Sequence, residues 1–219
     1  MKTLWIILIV GIVLIEVIIG ATSPGTGTDD DSIGTVTWSS PENILVNDGS
    51  DAQALDVSGE VQTHYLKGTN FSFIIPEGAT IDGIVAEIER NSPSSSDTYD
   101  YEVKIVKSNG SIGTENKADT DTEWPSSATY KTYGANDDLW SESWEYTDIN
   151  DEDFGFVLSA DMRALGLVAA TVDHFRITVY YTLPSARESP RFLIKQTSKF
   201  TIKSNGEFIM KKWKWYIYI

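Results

Sequence analysis

The chain has 219 residues and a net charge of −15, with 41% apolar and 11% aromatic residues, enough for a real core and too many for wholesale disorder. It has no cysteine, which excludes a disulfide framework, a thiolate metal site and a cysteine nucleophile. The charge is segregated: residues 1–183 hold nine Lys+Arg against thirty Asp+Glu and residues 184–219 hold eight against two, so the acidic body excludes a nucleic-acid surface and a basic tail follows it.

At the N-terminus, Lys2 precedes the apolar run LWIILIVGIVLIEVIIGA from Leu4 to Ala21. As a helix its eighteen residues would span about 27 Å, close to the thickness of a bilayer core. The run predicts a hydrophobic helix over residues 1–21 that serves as an export signal or as a membrane anchor. Its length exceeds the usual h-region of about 7–15 residues and argues for an anchor. Gly20, Ala21 and Thr22 nevertheless offer small residues to a signal peptidase, although Ile19 stands where another small one is preferred. Glu16 interrupts the run, and a carboxylate deep in a bilayer costs about 2.5–3.5 kcal/mol. It reads either as an off-centre residue the membrane tolerates or as an assembly residue where copies of the helix pack together. Lys2 before the run and Asp29, Asp30 and Asp31 after it place the body on the outer side of the membrane.

Residues 22–34, TSPGTGTDDDSIG, predict a flexible linker. From Thr35 the chain alternates with period two between Gly, Pro, Asn and Asp breaks. Phe71, Phe73 and Ile75 form one such set, Ile84, Ala86 and Ile88 a second, and Tyr99, Tyr101, Val103 and Ile105 a third. Phe154, Phe156, Leu158 and Ala160 make a fourth, and Phe175, Ile177, Val179 and Tyr181 a fifth. Each predicts a strand with one buried face, and no sustained helical period competes. The predicted fold is all-β: an antiparallel, jelly-roll-like β-sandwich over residues 35–183. Residues 107–153 read as long polar loops carrying Trp124, Trp140 and Trp144.

Beyond Pro184 and Pro190 the tail repeats with a period of eight: Phe192 to Lys195, Phe200 to Lys203, Phe208 to Lys211 and Tyr216 to Ile219 align without gaps. Asn205-Gly206 is a hairpin signal, so residues 184–219 predict a basic β-meander. Such a thin module needs another surface to bury its aromatics. Phe192, Phe200, Phe208, Trp213, Trp215, Tyr216, Ile217 and Ile219, with Glu16, are the candidate assembly residues, and the last strand suits donation to another subunit's sheet edge.

Little in the body points to catalysis. Only His64 and His174 supply imidazoles, and Asp173 next to His174 faces the opposite side of a strand, so the two form no preset dyad. Glu87 and Glu89 share a face about 7 Å apart, between the separations of retaining and inverting glycosidases, a spacing any acidic solvent face also produces. Two oxygen-rich loops are candidate Ca²⁺ ligands: Asp119, Asp121 and Glu123, and Asp148, Asn150, Glu152 and Asp153. The second starts like an EF-hand loop but has Asp153 in place of the required glycine and Ser159 at the final ligand position. Trp124, Trp140 and Trp144 suit stacking on sugar rings or plugging the ends of the core. Asn70-Phe-Ser72 and Asn109-Gly-Ser111 match glycosylation sequons.

Several stretches, Trp38 to Ile44, Tyr65 to Arg90, Asp138 to Trp140, Asp153 to Phe156 and Val172 to Thr182, together resemble a β-sandwich module of phage tail and virion-associated proteins and of bacterial or archaeal surface proteins. The resemblance covers roughly residues 35–183, and the octad tail is similar to units that follow such modules. It implies a structural or adhesive unit and carries over no catalytic residue. The apolar N-terminus departs from a phage tail protein, which has no need of export. The expectation is a non-enzymatic, exported protein of the cell surface or a virion that forms a homo-oligomer or polymer. Residues 4–21 hold it to a membrane if they are retained. A surface-displayed carbohydrate-binding module is the alternative, with glycans as partners.

Overall fold

Period-two alternation becomes two antiparallel sheets in the computed structural model, which describes residues 16–56, 59–93, 97–163, 166–184, 200–202 and 208–210. The strands are β1 (Glu16–Thr22), β2 (Thr26–Asp30), β3 (Ala52–Asp56), β4 (Val61–Gln62), β5 (Tyr65–Thr69), β6 (Thr80–Asn91), β7 (Thr98–Val106), β8 (Thr129–Ala135), β9 (Gly155–Met162) and β10 (Val168–Thr182). A 3₁₀ turn (Pro41–Leu45) and one short helix, α1 (Tyr146–Ile149), complete the body. The chain divides into two units, residues 1–184 and 185–219.

Each sheet is organised on one late strand. In the first, β6 lies along one flank of β10 and β8 lies outside β6; β1 and β3 pair with β10 at opposite ends of its other flank. In the second, β7 pairs with one flank of β9, β4 and β5 follow one another along the other, and β2 lies outside β5. The inward residues of both sheets form one core, with Ile84, Ala86 and Ile88 from β6, Phe175, Ile177 and Val179 from β10, Val103 and Ile105 from β7, and Phe156, Leu158 and Ala160 from β9. Phe156 and Phe175 stack across the sheets with ring centroids 4.3 Å apart, which makes the pair of sheets a β-sandwich.

The alternation of β10 is re-phased once. Val168, Ala170 and Val172 are buried at even positions; a bulge falls between Val172 and His174; Phe175, Ile177 and Val179 are then buried at odd positions. One extra residue, Asp173, therefore lets the whole strand keep its apolar side inward. β9 is buried on both faces, because Tyr65, Val106 and Val157 form a second small cluster with Ile33 and Ile112 packed against it. Gly155 belongs to this crowding, since a Cβ there would collide with the carbonyl oxygen of Gly68 on β5.

Several expectations change. The stretch 22–34 is no linker: β2 pairs with β5 from Thr26↔Thr69 to Asp30↔Tyr65. Its acidic residues are anchored, Asp29 to His64 Nδ1 at 2.9 Å and to the Trp38 amide at 2.8 Å, and Asp30 to Lys67 at 3.6 Å. Composition reads as flexible only until those partners arrive, two of them from more than thirty positions away. The predicted helix over 1–21 does not extend to its end, because residues 16–21 belong to β1; residues 1–15 lie outside the described residues. No helix among the described residues is long and apolar enough to cross a membrane.

Residues 70–76 are extended but join no ladder, although Phe71, Phe73 and Ile75 are buried as alternation requires. Asn70 and Ser72 hold positive φ of 59° and 55°, which breaks the pleat. The long loop 107–153 hides β8, whose sequence TYKTYGA has only one fully buried apolar side chain, Tyr133.

In the second unit, β11 (Phe200–Ile202) and β12 (Phe208–Met210) pair antiparallel, with Phe200↔Met210, Thr201↔Ile209 and Ile202↔Phe208. These are two of the four octads. The assembly candidates Phe192, Trp213, Trp215, Tyr216, Ile217 and Ile219, and the turn at Asn205-Gly206, lie outside the described residues.

Candidate functional site

The three tryptophans proposed as a sugar platform are fixed inward. Trp124 is 3% exposed and Trp140 is 0% exposed, so neither offers the open ring face that stacking needs. Trp124 donates its indole N–H to Asp100 Oδ1 at 2.8 Å and Trp140 donates to the Ile84 carbonyl at 2.9 Å. Trp144 is half-buried, edge-on to Phe154 at 5.4 Å, and donates to the Leu139 carbonyl. The rings plug loop ends into the core, and the platform reading is withdrawn for Trp124 and Trp140.

Part of each acidic loop is committed to the fold. Asp119 accepts the Lys131 ammonium at 2.5 Å and the Thr122 amide at 3.1 Å, and these bonds hold its carboxyl down at about 2. Asp121 and Glu123 are exposed, with Glu123 accepting the Tyr99 hydroxyl at 3.0 Å. Asp148 caps α1 by accepting the Glu145 amide and takes the Ser108 hydroxyl at 2.7 Å. Asn150 accepts the Ile75 amide at 2.7 Å and donates to the Ile75 carbonyl at 2.9 Å. Its amide stands in for a neighbouring strand along the segment that has none. Glu152 and Asp153 are exposed. Among the described residues no three His, Asp or Glu converge in a way that would hold a metal.

Two polar constellations emerge that the sequence did not announce. The first is buried. Arg90 and Asp100, 2% and 0% exposed, pair at 3.3 Å between the inner ends of β6 and β7. Asp100 also accepts Trp124 Nε1, Tyr133 OH at 2.8 Å and the Asp119 amide at 3.0 Å, and the Arg90 guanidinium lies 4.7 Å over the Trp124 ring. Burial first, and then the Asp100 charge, push the Tyr133 phenol well up, so it stays a donor. This is a structural staple holding the β8 and Trp124 loops to the core.

The second lies on the outer face of the first sheet. His174 Nδ1 is 2.7 Å from Tyr130 OH and its Nε2 is 2.8 Å from Ser23 Oγ. Tyr130 is bonded by Asn47 at 2.9 Å, Asn47 also donates to Glu89, and Arg176 lies 3.9 Å over the Tyr130 ring while forking onto Glu87 at 2.8 Å. Asp173, in the bulge, takes the Gly49 amide at 3.0 Å and does not reach His174 as a partner. The Ser23–His174 contact has the reach of a nucleophile and base. Its third member is a phenol, however, and the group's evident work is to join the β1–β2 connection, the 46–51 loop, β6, β8 and β10. The bulge is what brings His174 to this face.

Burial, and then the Arg176 charge, hold the His174 pKa below the ordinary 6.5, against a smaller opposing pull from Asp173. The unfolded chain therefore binds the proton more readily, and the network's stability is complete above pH ~6.5 and is lost as pH falls through the folded value. Glu89 and Asp51 are shifted upward, by burial and then by Asp173, so they give the opposite slope in the carboxylate range. Replacing His174 with Gln is expected to narrow the drop in melting temperature between pH 8 and pH 5.5. Thermal unfolding of both proteins at the two values checks it, and an equal drop in both refutes it.

No protein-family model matches the chain, and no curated protein matches it. The two-sheet sandwich agrees with the fold that the sequence resemblance implies, and nothing beyond the fold follows from that agreement.

Proposed function

We propose that the protein is an exported structural or adhesive module, jelly-roll-like in type, that assembles with copies of itself through its basic tail into a surface appendage, coat or virion component. The observation that carries this reading is the tail's ladder. Among the described residues it is two strands of three residues each, in a unit separate from the sandwich. A lone two-stranded pair is marginal in water and gains stability by joining a larger sheet. Eight Lys+Arg against two Asp+Glu in residues 184–219, opposite in sign to the acidic body, favour the body of another copy as that sheet. The sandwich contributes built-in rigidity: Trp124, Trp140, Asp119, Asp148, Asn150 and the outer polar network each tie loops or strands together.

In material exported by a host cell, deletion of residues 185–219 is expected to turn a multimer into a monomer, measured by light scattering after size exclusion. A truncated protein that assembles as the full chain does would refute the reading.

A further inference from the structure

Residues 16–21 have two incompatible uses. They complete the apolar run Leu4–Ala21, and they form most of β1, which pairs with β10 from Glu16↔Thr182 to Thr22↔Ile177. With β1 in place, only residues 4–15 remain for a membrane helix. Twelve residues give about 18 Å against a hydrocarbon core of about 30 Å. Spanning a bilayer, or entering a signal peptidase at Ala21, therefore requires β1 to leave the sheet.

The sheet is built to let it go. Among the described residues β1 is an edge strand whose only strand neighbour is β10, whereas β10 keeps β6 along its other flank and β3 at its far end. The connection that follows is held independently: Ser23 bonds His174, Pro24 is buried, and the Gly25 amide donates to the Thr69 carbonyl at 3.0 Å. Departure of β1 exposes the β10 flank from Ile177 to Thr182, a row of unpaired amides and carbonyls beside the buried Ile177, Val179 and Tyr181. Such an edge recruits a strand.

We propose that the Ile177–Thr182 flank of β10 is an acceptor site for a strand from the tail of a second copy, and that β1 occupies it until export removes residues 1–21. This rests on the tail-mediated assembly proposed above and names its receiving surface. The tail fits by alternation and by charge: its octads place an aromatic at position one and an apolar residue at position three, and its net charge opposes that of the acidic body.

The absence of cysteine allows a clean test. A protease site is placed between Ala21 and Thr22 of the full chain, with Ile18→Cys and Tyr180→Cys at directly opposed positions of the ladder, where Cα separations suit a disulfide. The oxidised protein is cut in the presence of phosphatidylcholine vesicles, which receive the released segment, and is then reduced. The expected result is a monomer until reduction and a multimer after it, with amides 177–182 protected at least about tenfold relative to a free edge in hydrogen exchange. Deletion of residues 185–219 should abolish both changes. A multimer that needs the tail but leaves 177–182 exchanging freely overturns the acceptor site and leaves tail-mediated assembly standing. A multimer indifferent to the deletion overturns both. A reduced monomer with 177–182 protected only when the tail is present shows the tail folding back on its own β10, which overturns exchange between copies.

Discussion

Replacing Asp100 with alanine is expected to cost about 3–5 kcal/mol of unfolding free energy, measured by guanidinium titration. The change removes the carboxylate opposite Arg90, which is 2% exposed, and leaves a guanidinium buried without a counter-charge. It also takes the acceptor from Trp124 Nε1, from Tyr133 OH and from the Asp119 amide. Each stranded donor then bears its own desolvation cost. Removing both charges together, with Arg90→Met and Asp100→Leu, is expected to cost less than Asp100→Ala alone, because the penalty lies chiefly in the orphaned charge. A loss below about 1 kcal/mol for Asp100→Ala would mean that water enters and replaces the pair.

Phe175→Ala should be comparably severe, with a loss of about 3–5 kcal/mol. Phe175 is fully buried, stacks on Phe156 at 4.3 Å, and lies where a Cβ on Gly68 would come within 2.8 Å of its ring. Its deletion opens a void between the two sheets beside Phe156 and the Gly68 backbone. For a domain of this size the loss corresponds to a fall in melting temperature of roughly 6–20 °C in calorimetry. The conservative Phe175→Leu should recover most of it, which separates lost volume from lost ring stacking.

The strands with strong alternation were legible from sequence alone, and they are the ones at the centre. β6 alternates along almost its whole length and β10 does so from Phe175 to Tyr181, so hydrophobic period and structure coincide there, whereas β9 is buried on both faces and a bulge after Asp100 in β7 leaves Tyr101 exposed. Two of the missed strands, β2 and β8, are held by side chains that other segments bring to them. β2 is TGTDD, which has no apolar side chain at all, and enters the sheet because Lys67, His64 and Trp38 come to its carboxylates. β8 is held by Tyr133 reaching Asp100 and Lys131 reaching Asp119. Trp124, Trp140 and Asn150 were misread for a related reason. An acidic loop and an indole look the same in sequence whether they await a ligand or already hold a backbone group. Asn150, read as a calcium ligand, spends both polar atoms on Ile75. The bulge at Asp173 was invisible to a strict period of two, and it decides which face His174 takes.

Placing β9 and β10 at the centre of their sheets has a kinetic consequence. Every other body strand except β2 and β8 hydrogen-bonds directly to one of these two, which begin at Gly155 and Val168. During synthesis, the first 150 residues can make β6–β8 and β2–β5 ladders but neither complete layer. Closure waits for the last strands, across sequence separations that make pairing slow, on the scale of milliseconds to seconds for all-β domains. A chain built in this order cannot close its core until its last two body strands are made.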